Sequence, residues 1–315
     1  MTDLKAYENC RLCPHHCGVN RIKNELGRCH APASCRAGAA MLHHWEEPII
    51  CSPNGSGAVF FSGCSLACVF CQNASISHEN HGFEISTDEL VDAYFRLEES
   101  GADNINLVSA THYIPHVSAS IKKARAAGLS LAFIYNSSGF ESVEALRLLD
   151  GLIDIYLPDL KYYSAKLAKR YSGAYHYPQY ARAAIDEMFR QVSGFEIDPE
   201  THMMKRGMIV RLLILPGQVR DAMASLAYLH THYRDSIFIS LMRQFTPTPG
   251  LGNRFPELQR RLSDEEYEAI LKLADELDLK YAFTQEAEAA AESFIPEFRG
   301  QGLIGIKKAA GNPTA

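Results

Sequence analysis

Cys64, Cys68 and Cys71 stand within eight residues, directly after the strand-like run Ala58-Val59-Phe60-Phe61. Thiolates this crowded suit iron-sulfur clusters, zinc or copper(I) better than they suit an apolar core. A cubic four-iron cluster ordinarily takes four cysteines. Three would leave one iron open to an exchangeable molecule, much as a catalytic zinc keeps one position for water or substrate. A zinc or disulfide knuckle is the alternative, and the strand-then-loop context weighs against it.

Four further cysteines precede this loop: Cys10, Cys13, Cys17 and Cys29, spaced C-x2-C-x3-C-x11-C. Four thiolates close a tetrahedral zinc site or hold a second cluster, and the spacing does not choose between them. Either would tie down a segment too short to build its own core. His15, His16 and His30 lie nearby, and solvated histidines are the simpler reading. Cys35 and Cys51 are isolated and read as buried or idle thiols.

The elements that must position these groups alternate from residue 58 onward. Strands are expected at 58–61, 105–108, 130–135, 153–157, 208–215, 237–242 and 280–283. Helices are expected after Ser86, at 116–127, 141–149, 164–171, 178–193 and 219–233, and over 263–277. Ser86 with Glu89, and Ser263 with Glu266, form capping boxes. Six or seven strand-then-helix units imply an α/β chain with a parallel sheet and right-handed crossovers. Chemistry then belongs at the C-terminal ends of the strands. Those ends carry Thr111 and His112, then Asn136 and Ser137, then Asp159 and Lys161, Arg211, and Gln244.

The 315 residues carry a net charge of −6, which makes no case for nucleic-acid or membrane binding. No run approaches 18 apolar residues, and the start lacks an apolar signal core. Nine cysteines without such a signal point to a reducing, cytoplasmic setting and to metal ligation rather than disulfides.

The C-x3-C-x2-C loop, with Phe70 just before its third cysteine, resembles the radical S-adenosylmethionine (SAM) superfamily. Three features narrow the resemblance to pyruvate formate-lyase activating enzymes and their relatives: Cys71-Gln72-Asn73, Asp159-x-Lys161, and Arg211-x4-Pro216-Gly217. Glu46-Glu47-Pro48, Gly55-Ser56-Gly57, Asn106-Leu107-Val108, Thr111-His112-Tyr113 and Phe294-Ile295-Pro296-Glu297-Phe298 resemble an uncharacterised iron-sulfur branch of that group. The implied fold is a partial (β/α)6 TIM-like barrel over 56–285, with a Cys-rich metal-binding extension over 1–55 and a tail over 286–315. A doubly wound sheet is the alternative.

The resemblance also implies roles. Cys64, Cys68 and Cys71 would bind a 4Fe-4S cluster, and Phe70 would lie beside the SAM adenine. Asp159, Lys161, Asn136 and Arg211 would face SAM, a carboxylate and an ammonium pairing with its amino and carboxylate groups. The Gly-Gly-Glu segment expected after the second strand is replaced by Ser109-Ala110-Thr111-His112, which makes Thr111 a substitute SAM contact. A one-electron donor of flavodoxin or ferredoxin type is implied, and so is oxidoreductase chemistry on a glycine Cα of a partner enzyme. The alternatives are radical modification of another macromolecule or a small molecule, and a non-enzymatic iron-sulfur or zinc protein.

Overall fold

The computed structural model describes residues 4–285, 296 and 298–303. It opens with β1 (Arg36–His43), β2 (Ser56–Phe61), α1 (Ala74–Ser77), β3 (Phe83–Glu84) and α2 (Thr87–Glu99). Next come β4 (Asn104–Val108), α3 (Ile114–Ala126), β5 (Ala132–Ser137), α4 (Val143–Leu146) and β6 (Ile155–Pro158). Helices α5 (Ala165–Ser172) and α6 (Tyr177–Val192) lead into β7 (Glu196–Ile197) and β8 (Met204–Leu213). The series ends with α7 (Val219–Tyr233), β9 (Phe238–Met242), α8 (Asp264–Glu276) and β10 (Ala282–Thr284). Both expected capping boxes form, Ser86 with Glu89 at α2 and Ser263 with Glu266 at α8. Such a cap contributes about 1 kcal/mol.

The strand order is β10-β9-β8-β6-β5-β4-β2-β1-β3. Along this path from β2 to β10 every pairing is parallel, and neighbours follow one another in chain order; the two-residue β7 lies off the path and pairs antiparallel with β8. A doubly wound sheet reverses its strand order at a switch point. No reversal occurs here, so crossovers of one hand lay the helices along one face, as in a barrel. The mostly parallel α/β sheet is consistent with a partial TIM-like barrel.

Side-chain alternation divides the sheet into two faces. Val59, Ile105, Leu107, Phe133, Tyr135, Val210 and Ile239 join helix residues such as Leu90, Ile121 and Ile185 in the main core. Each such fully buried side chain contributes roughly 1.5–3 kcal/mol. The residues between them face the other way. Ile134, Ile155, Leu157, Ile209 and Phe238 form a second, smaller core with Ile50. One step further along the strands, Asn136 and Arg211 fall on this same inner face.

Three local expectations change. The stretch 141–149 begins its helix only after Ser142, whose side chain accepts from Ala145 N–H, and finishes as a 3-10 turn. Strand β8 starts four residues early, at Met204. Strand β1 was not expected at all; it runs antiparallel to β2 and extends the sheet at that edge. Residues 286–295, 297 and 304–315 lie outside the described residues, and with them most of the expected tail and of the Phe294–Phe298 motif. Among the described residues no helix is long and apolar enough to cross a membrane.

Candidate metal and cofactor site

The loop after β2 turns on Gly63, whose φ is +87°. A Cβ there would come within 3.0 Å of the Cys29 carbonyl and 3.1 Å of His112 Nε2, so glycine serves both the backbone angle and the close approach. Cys64, Cys68 and Cys71 then line a cavity of about 310 Å³. The sulfurs already have hydrogen-bond donors. Leu66 N–H lies 3.4 Å from Cys64 Sγ, and the Ser172 hydroxyl donates to Cys68 Sγ at 3.0 Å. Ser77 Oγ is 3.1 Å from Cys71 Sγ.

A buried chain of charges lines the same cavity. Lys161 Nζ donates to Asp159 Oδ2 at 2.5 Å, and Arg211 Nε donates to Asp159 Oδ1 at 2.8 Å. The same guanidinium reaches Asn136 Oδ1 at 2.5 Å and Glu46 Oε2 at 3.4 Å. Asn106 Nδ2 holds the other Glu46 oxygen at 2.9 Å. Register explains the convergence: Asp159 bridges Arg211 directly, and Asn136 pairs across β5 and β6 with Leu157, two residues earlier. Tyr177 ties the rim together, its hydroxyl lying 2.9 Å from the Ser138 and Asp159 carbonyls and accepting from Lys161 N–H at 2.9 Å.

These contacts set the ionisation. Burial alone would raise the Asp159 carboxyl, but Arg211 and Lys161 outweigh it and hold it below its ordinary value. Burial opposes the Lys161 charge, and Asp159 with Cys68 reverses that and raises it. Glu46 and Glu47 are pushed up by burial, against the pull of Arg211. Burial likewise raises Cys64 and Cys68, and the neighbouring thiols add to it at Cys64. Crowded, buried thiols of this kind become stable thiolates when a metal supplies the countercharge.

Phe70 lines the cavity, 5% exposed, between Tyr171 and Phe245. Thr111 does not line it. Its hydroxyl points the other way and donates to Glu141 Oε1 at 2.5 Å, in a pair also held by Ser137 Oγ at 3.2 Å from Oε2. Burial pushes Glu141 up to about 7. Cys10, Cys13, Cys17 and Cys29 lie outside this cavity, around a second and smaller one. Sequence reasoning did not pick out Glu141, Ser172, Ser77 or Tyr177. It quoted Glu46 and Glu47 only as part of a motif, and their approach to Arg211 had no signal in spacing.

Among the described residues no group of three or more Cys, His, Asp or Glu is arranged to hold a metal ion. Cluster ligands are not gathered on one atom, since each cysteine meets its own iron. Three sulfurs lining one cavity, each near an N–H or O–H group, are a donor set that fits a 4Fe-4S cluster and an exchangeable ligand.

Residues 58–193 match the family model of the radical SAM superfamily. The uncharacterized protein MJ0674 of Methanocaldococcus jannaschii is 27% identical over 298 residues, covering 89% of this chain and 81% of that protein. The FeFe-hydrogenase maturase HydG of Carboxydothermus hydrogenoformans shares the fold, with a TM-score of 0.51 at 15% identity over 76% of this chain and 55% of that one. A second HydG structure gives 0.50 at 15% identity, over 76% and 53%. This chain therefore spans about half the length of the HydG chains. The family match takes in the loop of three cysteines, and the fold is the one shared with HydG.

Proposed function

We propose that the protein is a radical SAM oxidoreductase that abstracts hydrogen from a substrate C–H bond. The observation that carries this is that Cys64, Cys68 and Cys71 line one cavity together with Asp159, Lys161 and Arg211. The three cysteines would hold a 4Fe-4S cluster, leaving one iron for SAM. When bound, this pair supplies a 5′-deoxyadenosyl radical after reduction by a flavodoxin-like or ferredoxin-like donor.

The chain's own residues bind, orient and exclude water. Asp159 and Lys161 present an ionised carboxylate and an ammonium, the complements of an amino acid's two charged groups. Arg211 is already engaged by Asp159, Asn136 and Glu46, so its first role is to hold those groups in place. Phe70 offers an apolar face beside the cysteines. Thr111 donates to Glu141 and reaches SAM only if that hydrogen bond is given up.

On the resemblance to activating enzymes, the substrate is a glycine Cα in a partner protein, and the setting is the cytoplasm. Anaerobically reconstituted protein is expected to release 5′-deoxyadenosine from SAM on reduction, and Cys68→Ala to abolish this. A verified cluster that yields no deoxyadenosine would leave a non-enzymatic metal protein. A glycyl-radical doublet in the EPR spectrum of a co-encoded partner would separate the activase role from action on other substrates.

A further inference from the structure

Cys10, Cys13, Cys17 and Cys29 line one small cavity together with Arg21 and His112. All four are free of disulfides. The backbone is shaped to them: Arg28 N–H points at Cys17 Sγ at 3.4 Å, and a Cβ on Gly27 would come within 2.9 Å of that sulfur.

Arg21 is the observation that asks for something more. It is 1% exposed, yet no carboxylate pairs with it among the described residues. Nη1 donates to the His112 carbonyl and Nη2 to the Pro32 carbonyl at 2.5 Å, both neutral acceptors. Nε has no hydrogen-bond partner there. The guanidinium lies 3.9 Å from the centre of the Tyr7 ring. A buried cation is retained where an anion offsets it. Four thiolates around one divalent metal carry two net negative charges, and a four-cysteine cluster is also anionic.

We propose that Cys10, Cys13, Cys17 and Cys29 hold a thiolate-bound metal centre of their own, with Arg21 as its buried counter-ion, and that this centre fixes the loop presenting Cys64, Cys68 and Cys71. The sulfurs are not drawn to one point among the described residues. The four side chains line one cavity, and it is there that they would close on a metal.

Three contacts carry the centre's order to the loop. His15 Nε2 lies 2.9 Å from the Ser65 carbonyl, inside the loop. The Cys29 carbonyl abuts Gly63. Arg21 holds the His112 backbone, and the His112 ring reaches the Ser62 carbonyl at 2.7 Å.

The test uses full-length protein with Cys64, Cys68 and Cys71 all changed to alanine. After gel filtration with a chelator it should keep either one zinc per chain or the iron and sulfide of one cluster; zinc X-ray absorption would show four sulfurs at about 2.3 Å. Retention of neither metal overturns the proposal. Should that variant not fold, Cys10→Ala/Cys13→Ala in the otherwise wild-type chain must lose the same metal while the first cluster remains; unchanged metal content again overturns it. Arg21→Met should weaken metal retention at least tenfold in chelator competition, and unchanged retention removes the counter-ion role. His15→Ala should keep the N-terminal metal while the first cluster bleaches several-fold faster under chelator, and equal bleaching refutes the coupling. Failure of the hydrogen-abstraction proposal would leave all of these metal measurements standing.

Discussion

Glu141→Gln isolates one buried carboxyl. Glu141 is 1% exposed, and burial raises its pKa from 4.5 to about 7, against two hydroxyl hydrogen bonds that lower it. The unfolded chain releases this proton near pH 4.5 and the folded chain near 7, so between them the folded state holds one proton more. Stability therefore falls as pH rises through this window, at about 1.4 kcal/mol per pH unit and by about 3 kcal/mol in all. Glutamine keeps an oxygen to accept from Thr111 and carries no charge. Urea unfolding of both proteins at pH 5 and pH 8, under otherwise equal conditions, checks this. Between pH 5 and pH 8 the variant should gain about 2.5 kcal/mol on the wild type, since close to 1 kcal/mol of the whole is already lost at pH 5. Equal pH dependence in the two proteins would refute the reasoning, as would a variant destabilised alike at both.

Asp159→Asn leaves Lys161 and Arg211 buried with one anion fewer, and a loss of about 3–5 kcal/mol is expected in urea unfolding. Because the Asp159 pKa is held down, its contribution is complete above 3.8 and is lost as pH falls toward the lower folded value, so the two proteins should converge only in acid. Gly139→Ala imposes φ of +69° on a side chain whose Cβ would lie 2.6 Å from the Asp159 carbonyl. A loss of at least about 1–2 kcal/mol in thermal unfolding, with weaker SAM binding by calorimetry, is expected. Tyr177→Phe unties Ser138, Asp159 and Lys161 and should cost about 1–3 kcal/mol in the same unfolding assay.

The strand-helix alternation from β2 to β10 was legible because apolar runs, glycine stops and the capping serines are local signals. Strand β1 was not, since Ala37-Gly38-Ala39-Ala40 has none of the branched or aromatic residues that mark a strand. The site divides the same way. Cys64, Cys68 and Cys71 announce themselves by spacing, and Asp159 with Lys161 by a motif at a strand end. Glu141 and Thr111 face each other because residues after two adjacent strands meet, a tertiary fact with no sequence period. Arg211 was expected to face SAM, and its contacts with Asp159, Asn136 and Glu46 were not legible in the spacing. The role of Arg21 is equally hidden, since an arginine in a cysteine-rich segment that also holds Arg11 and Arg28 reads as surface.

The Glu46–Arg211 contact joins residues 165 apart in the chain. Closing so long a loop adds little to the entropy of a shorter one, because that term grows only as the logarithm of length. Its effect is on timing. During synthesis Glu46 and Glu47 emerge long before Arg211, and burying them without their cation is unfavourable. They therefore stay in water until β8 joins the sheet, and the inner face of the barrel is sealed from below late in folding.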